Sequence, residues 1–152
     1  MCPCSSLCAA CSARLEEGHI NWIAIVVATA AAMIIGFLWY GPVFGKAWMA
    51  LSGRGMGEGS SAGPLYALTA LAAFVEAIAV NWFINETGWT TGAGGALIGL
   101  YAGLGFIATA FFSQVLFAGR PPRLYAIDAG YQVFQAVVMG AIIGFLGGGR
   151  LG

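Results

Sequence analysis

The stretch LYALTALAAFVEAIAVNWFI, residues 65–84, decides the fold class because it is largely apolar and its only charged residue is Glu76. A helix needs about 20 predominantly apolar residues to cross about 30 Å of hydrocarbon. Residues 20–40, 95–117 and 125–146 also reach that length and character. The sequence therefore predicts an all-α bundle of four transmembrane helices.

The composition supports a membrane protein and argues against other classes. Hydrophobic residues make up 60% of the 152 residues and charged residues 8%, whereas a soluble domain has about 25% charged residues. The formal net charge is zero and the basic residues form no dense cluster, so nucleic-acid binding has no electrostatic basis. Because four spans use most of the chain, we expect no separate catalytic domain, no cofactor and no enzymatic activity.

The chain divides into three regions. Residues 1–19 form a polar tail that contains the cysteines, residues 20–147 form the membrane domain, and residues 148–152 form a glycine-rich tail. Within the first connection, residues 44–51 predict a short interfacial helix, and residues 52–63 predict a flexible linker.

Aromatic residues mark both ends of the first span. Trp22 lies near one end and the pair Trp39 and Tyr40 at the other, which suits the two membrane interfaces. Pro42 follows at once, and we expect it to end the helix.

The distribution of basic residues predicts the orientation. With four spans, both termini and the second connection share one side of the membrane, and this side carries Arg14 and Arg150. The opposite side carries four basic residues: Lys46, Arg54, Arg120 and Arg123. We therefore expect the first and third connections in the cytoplasm of a bacterium, both termini outside, and the spans in the inner membrane.

Small residues recur at every fourth position on all four predicted spans, a pattern that allows close helix packing in lipid. On the third and fourth spans these residues are Gly95, Gly99, Gly103, Ala136, Gly140, Gly144 and Gly148. Because the third span enters the membrane on the side where the fourth leaves it, both glycine rows lie in one leaflet. We expect these two helices to pack most closely there.

Polar residues continue both rows towards the other leaflet. On the fourth span they are Asp128, Tyr131, Gln132 and Gln135. Gln114 lies eleven residues after Gly103, about three turns of an α-helix and therefore on the same face. Close contact in one leaflet and polar bulk in the other predict a cleft that opens towards the cytoplasm.

Glu76 lies roughly 16 Å into its span at about 1.5 Å per residue, near the bilayer centre and at the depth of Gln135. No lysine or arginine is predicted in the hydrocarbon zone, so the carboxyl group is expected to be protonated. In a structural role it would donate a hydrogen bond to Gln135, Gln132 or Thr69 and lock helices together. In a functional role it would carry a proton or bind a cationic substrate, as intramembrane acids generally do.

Asp128 lies one turn into the predicted fourth span, close to Arg120 and Arg123 in the sequence. Helix-dipole stabilisation, aided by the arginines, explains a carboxylate in the first turn of a helix. A gate or a substrate-binding group is the alternative.

The four cysteines are the weak candidates for a metal site: Cys2, Cys4, Cys8 and Cys11. Four thiolates can hold zinc, but structural zinc sites usually join two pairs from separate segments. Here all four fall in one short tail, so we predict no metal site. His19, the only histidine, lies outside the spans, which excludes a paired-histidine metal helix and disfavours Ser/His chemistry.

Two stretches of this sequence resemble a bacterial family of small integral membrane proteins, domain of unknown function 1761. The first is Asn21-Trp22 together with GFLWYGPVFGKAWM at 36–49, and the second is RLYAIDAGYQ at 123–132 followed by VMGA at 138–141. The resemblance covers residues 20 to 145 and implies a four-helix membrane domain. It implies no activity.

Two functions remain open. In the first, the chain is a non-catalytic scaffold or accessory component of the membrane whose partners are the lipid bilayer and either further copies of itself or another membrane protein. In the second, it is a small proton-coupled transporter or exporter that uses Glu76, with the aromatic residues Phe111, Phe112, Tyr131 and Phe134 contacting an amphipathic cation. A membrane-embedded enzyme is a third, weaker reading.

Overall fold

The computed structural model describes residues 20–53 and 62–148, and within these ranges the chain is helical with no β-strand. The helices are Trp22–Leu38, Gly45–Ser52, Ala62–Thr87, Gly92–Ala102, Thr109–Ala118 and Pro122–Gly148, with π-helical segments at Trp39–Val43 and Gly103–Ala108. The four that are long and apolar enough to cross a membrane are Trp22–Val43, Gly63–Thr87, Gly92–Ala118 and Pro122–Gly147, called the first to fourth spans below. The predicted all-α, four-span fold is confirmed.

The third and fourth spans each begin three residues earlier than predicted, because local hydrogen bonds start these helices. The Thr91 hydroxyl accepts a hydrogen bond from the Gly94 amide at 3.0 Å, which caps the third span. The Pro121 carbonyl accepts hydrogen bonds from the amides of Leu124 and Tyr125. Pro122 occupies the first helical position, where its missing N–H costs nothing.

The prediction that Pro42 ends the first span is wrong. The helix continues through Pro42 to Val43 as a π-helical segment, in which the Phe44 amide donates to the Trp39 carbonyl at 2.8 Å. A proline in an α-helix loses one backbone bond and clashes with the preceding turn. In a π segment the amide of residue i+5 donates to the carbonyl of residue i. This local departure from the α-helix accommodates the proline.

The short helix Gly45–Ser52 follows directly, and each of its ends lies one residue beyond the end predicted for the interfacial helix, residues 44–51. It ends at Gly53, whose φ of 67° lies in the left-handed region that favours glycine. Lys46 is exposed on this helix, whereas Trp48 is half-buried against the bundle.

The apolar core occupies one half of the bundle, the half nearest the connection at 88–91. Its fully buried members on the first and second spans include Ala24, Ala28, Ala32 and Ala77, and those on the fourth include Ala136 and Met139. These small residues allow the first, second and fourth spans to approach one another closely.

The third and fourth spans touch through backbone at their glycines. A methyl group on Gly95 would overlap the carbonyl oxygen of Gly140, and one on Gly99 would overlap that of Ala136. A methyl group on Gly144 would likewise overlap the carbonyl of Thr91, and one on Gly103 would lie 3.0 Å from Cα of Val133.

In the other half of the bundle, which we call the open half, many residues of the second and third spans are exposed. The first two turns of the second span are exposed, as are most residues in the second half of the third. Large exposed side chains there include Leu65, Tyr66, Leu68, Leu71, Leu104, Phe106, Leu116 and Phe117. Apolar side chains in these positions suit contact with lipid.

Candidate functional site on the fourth span

Three polar side chains share one face of the fourth span. Asp128, Tyr131 and Gln135 are spaced three and then four residues apart, which aligns them along one side of an α-helix. This face contacts the first and second spans, and it runs from the open half of the bundle to the edge of the apolar core. Each of these side chains hydrogen-bonds to a group on one of those spans or on the short helix between them.

Glu76 and Gln135 join the second and fourth spans. The Gln135 amide nitrogen Nε2 donates to Glu76 Oε2 at 2.9 Å. Gln135 is only 3% exposed, and Glu76 is half-buried. The other oxygens, Glu76 Oε1 and Gln135 Oε1, are buried and accept no hydrogen bond from any described residue.

The other two partners considered for Glu76 are not bonded to it. The Thr69 hydroxyl donates to the Leu65 carbonyl of its own helix at 2.9 Å. Gln132 is half-buried, and it forms no hydrogen bond within the described part of the chain. Of the amides on the fourth span, the structure therefore pairs Gln135 with the carboxyl group.

Asp128 joins the fourth span to the first span and to the short helix. Its Oδ1 accepts hydrogen bonds from the Tyr40 hydroxyl at 3.0 Å and from the Trp48 indole nitrogen at 3.1 Å. These three residues form a cluster that we call the Asp128 joint. Both donors come from the stretch that includes Pro42, so the π segment and the short helix carry them to the same carboxylate.

The expected first-turn position of Asp128 is corrected by the early start of the helix at Pro122. Asp128 lies in the second turn, where the helix dipole has little effect. Arg120 and Arg123 are exposed, and neither forms an ion pair with a residue in the described ranges. Hydrogen bonds from Tyr40 and Trp48, rather than arginines, satisfy this carboxylate.

Trp39 and Tyr131 extend the contact between the first and fourth spans. The Trp39 indole nitrogen donates to the Ile127 carbonyl at 3.2 Å, and its ring stacks on Phe134 with centroids 6.0 Å apart. The Tyr131 ring meets Tyr40 edge-on, with centroids 5.0 Å apart. Its hydroxyl would lie 2.9 Å from a methyl group on Gly36, so a larger residue there would have to displace the Tyr131 hydroxyl.

The prediction that Gln114 continues the glycine row rested on a helix geometry that the structure interrupts. The inference required an unbroken α-helix from Gly103 to Gln114, but Gly103–Ala108 is π-helical and changes the register of the residues that follow. Gln114 is half-buried, and no hydrogen bond links it to another described residue. It therefore lies apart from the hydrogen-bonded groups of the fourth span.

Sequence reasoning missed four hydrogen-bonding residues: Asn21, Trp39, Tyr40 and Trp48. Asn21 caps the first span by accepting from the Ala24 amide, and it also donates to the Leu146 carbonyl at the far end of the fourth span, both at 3.1 Å. All four stand in the quoted motifs, which was the available signal. Their aromatic character directed attention to the membrane interface instead of to a carboxylate.

No metal site is found among the described residues, which contain no group of three histidine, cysteine or acidic side chains. The four cysteines lie outside the described ranges. Two apolar grooves lie on the surface, the larger about 610 Å³ and lined by residues that include Trp39, Tyr125 and Phe134. Glu76 lines neither groove.

A family model described as "Protein of unknown function (DUF1761)" matches residues 23–144. The chain belongs to this family. The DUF1761 match includes both carboxylates and all of their hydrogen-bond partners described above. No curated protein and no solved structure matches the chain.

Proposed function

We propose that this protein is a non-catalytic structural or accessory component of the bacterial inner membrane. The observation that carries the proposal is that both carboxyl groups within the spans are bonded to other helices, Glu76 to Gln135 and Asp128 to Tyr40 and Trp48. A polar group in hydrocarbon is stabilised when a neighbouring helix supplies its partner. Here the polar side chains connect helices to one another.

The lipid-facing surface supports the same role. Large apolar side chains cover the outside of the open half, and helices satisfy most of their backbone hydrogen bonds internally, as lipid requires. Such a surface suits the lipid bilayer together with a second copy or another membrane protein. We also propose that the termini lie outside the cytoplasm, on the strength of the basic residues in the first and third connections.

Proton-coupled export of amphipathic cations is the second candidate. It is favoured by the two buried oxygens, Glu76 Oε1 and Gln135 Oε1, that accept no hydrogen bond. Such oxygens can receive a proton or a cationic donor. The open half of the bundle would give a cation access from one side.

Proton release distinguishes the two functions. The protein is reconstituted in lipid vesicles, a panel of lipophilic cations is added, and the release of protons is followed with a pH-sensitive dye. A structural component releases none, and wild-type protein and Glu76→Gln give identical traces. Release by the wild type that Glu76→Gln abolishes would overturn the accessory role in favour of export.

A further inference from the structure

The hydrogen-bond donors and acceptors do not balance at Glu76 and Gln135. One contact is complete, from Gln135 Nε2 to Glu76 Oε2 at 2.9 Å. The two oxygens that remain, Glu76 Oε1 and Gln135 Oε1, are both buried and both lack a donor. An amide oxygen can only accept, and an ionised carboxylate can only accept as well.

One hydrogen atom would satisfy both oxygens. A carboxylic acid and a carboxamide can form a closed pair of hydrogen bonds, in which the amide N–H donates to one carboxyl oxygen and the acid O–H donates to the amide oxygen. The first of these bonds is present. An unpaired buried acceptor is destabilising, so a proton on Glu76 Oε1 that is shared with Gln135 Oε1 would relieve both oxygens.

Asp128 shows the opposite arrangement. Two donors, the Tyr40 hydroxyl and the Trp48 indole, converge on its Oδ1. A carboxylate is stabilised by donors that converge on it in this way. The surroundings of Glu76 thus leave two buried oxygens without a donor, whereas those of Asp128 supply two donors to one oxygen.

The groups around Glu76 supply no positive charge. Tyr131, which shares a face of the fourth span with Gln135, carries no positive charge in either protonation state. The first span contributes Ala28 and Ala32 to the adjoining core, and the third span contributes Ile98. Lys46, Arg120 and Arg123, the basic residues in the described ranges, are exposed at the ends of helices.

We propose that Glu76 is a proton-binding site within the membrane, holding a proton on Oε1 that it donates to Gln135 Oε1. The site is independent of the choice between the two functions above. In a structural component the proton stays on Glu76 and forms the second hydrogen bond to Gln135. In an exporter the proton exchanges with a cation.

A hydrophobic carbodiimide tests the proton directly. Dicyclohexylcarbodiimide reacts with a protonated carboxyl group: the acid proton passes to a carbodiimide nitrogen, and the carboxyl oxygen bonds to the central carbon. We expect purified protein in lipid vesicles at neutral pH to gain one adduct, located at Glu76 by peptide mass analysis. The adduct is lost in Glu76→Gln and is retained in Asp128→Asn.

Matched controls keep this result interpretable. Glu86, exposed near the end of the same helix, serves as the control position, and Glu86→Gln retains the adduct. Glu76→Gln replaces the carboxyl group with an amide that can both donate and accept hydrogen bonds. This variant is therefore expected to keep the helical circular dichroism of the wild type. An adduct that persists in Glu76→Gln and disappears in Asp128→Asn would overturn the assignment.

Infrared spectroscopy decides the case in which the reagent fails to reach the site. A protonated carboxyl group gives a carbonyl band that an ionised one lacks. We expect this band in the wild type, its loss in Glu76→Gln, and a shift to higher frequency in Gln135→Leu, which removes the hydrogen-bond acceptor. Absence of both the band and the adduct would show that Glu76 is ionised and would end the proposal.

Discussion

Single side chains decide where the spans touch. Gly95 and Gly99 meet backbone carbonyls of the fourth span so closely that even a methyl group has no room. Gly36 has a different reason, because it leaves room for the Tyr131 hydroxyl. In a bilayer, where apolar burial gives helices little reason to associate, such close approach is a main source of stability.

Gly95→Ala tests the close approach. The added methyl group must push the third span away from Gly140, and overpacking of this kind costs about 1–3 kcal/mol. We expect the free energy of unfolding, measured by titration of mixed micelles with sodium dodecyl sulfate, to fall by that amount. Gly105→Ala is the matched control, since no atom lies within 4 Å of the added methyl group.

The control defines the contrary outcome. Gly105→Ala should leave the free energy of unfolding unchanged or raise it slightly, because alanine is the better helix former. Equal losses in both variants would mean that the cost comes from helix propensity or the lipid interface and not from the contact with Gly140.

The sequence predicted residues better than it predicted their partners. Gln135 was one of three partners considered for Glu76, because depth along two helices can be read from residue numbers. Tyr40 and Trp48 could not be matched to Asp128 in this way, because they lie across a π segment and a turn whose geometry the sequence does not reveal. The only indication was that Tyr40 and Trp48 lie in the first of the two quoted motifs and Asp128 in the second.

At the level of elements, the four spans followed from hydropathy and the interruptions did not. Length and composition predicted every span, whereas two π segments, 39–43 and 103–108, have no comparable signal. Each changes the register of the side chains that follow. The segment 103–108 therefore removes the basis for placing Gln114 on the face of Gly103, and the segment 39–43 accounts for the passage of the first span through Pro42.

The short helix Gly45–Ser52 offers a test at this level. Trp48 holds it to the fourth span through Asp128, so Asp128→Ala should release it. Loss of a hydrogen bond worth about 1 kcal/mol predicts amide exchange about fivefold faster across residues 45–52. Hydrogen–deuterium exchange with mass spectrometry measures this, and Trp48→Phe should give a similar increase.

Ser113→Ala is the control for this experiment. The Ser113 hydroxyl donates only to the Ala110 carbonyl of its own helix, so exchange at 45–52 should not change. If Asp128→Ala also leaves exchange at 45–52 unchanged, the short helix is held by the lipid interface and the Asp128 joint has no role in positioning it.

Across the whole molecule, the bundle has an apolar half and an open half, and the Glu76–Gln135 pair lies between them. Small residues pack the first half tightly, as their spacing predicted. The second half is joined by polar and aromatic contacts from the first span to the fourth, while parts of the second and third spans face outward. The sequence predicted close contact in one leaflet and a cleft in the other. It did not predict that aromatic residues of the first span, Trp39 and Tyr40, would pack against the fourth span in the open half.

The stability of the bundle should therefore depend on contacts between spans that are far apart in sequence. Glu76 and Gln135 are separated by 59 residues and joined by one hydrogen bond. Interhelical hydrogen bonds in membranes contribute about 0.6 kcal/mol on average and up to about 1.7 kcal/mol. The second hydrogen bond proposed above would place this pair in the upper part of that range.

A double-mutant cycle on this pair tests the central claim that polar side chains fasten the spans to one another. The free energy of unfolding is measured for the wild type, Glu76→Ala, Gln135→Ala and the double variant, and Thr69→Ala with Gln135→Ala forms the control cycle. We predict a coupling energy of about 1 kcal/mol or more for Glu76 and Gln135, and none for the control. Additive losses in the first cycle would contradict the claim and leave the bundle held by its small residues alone.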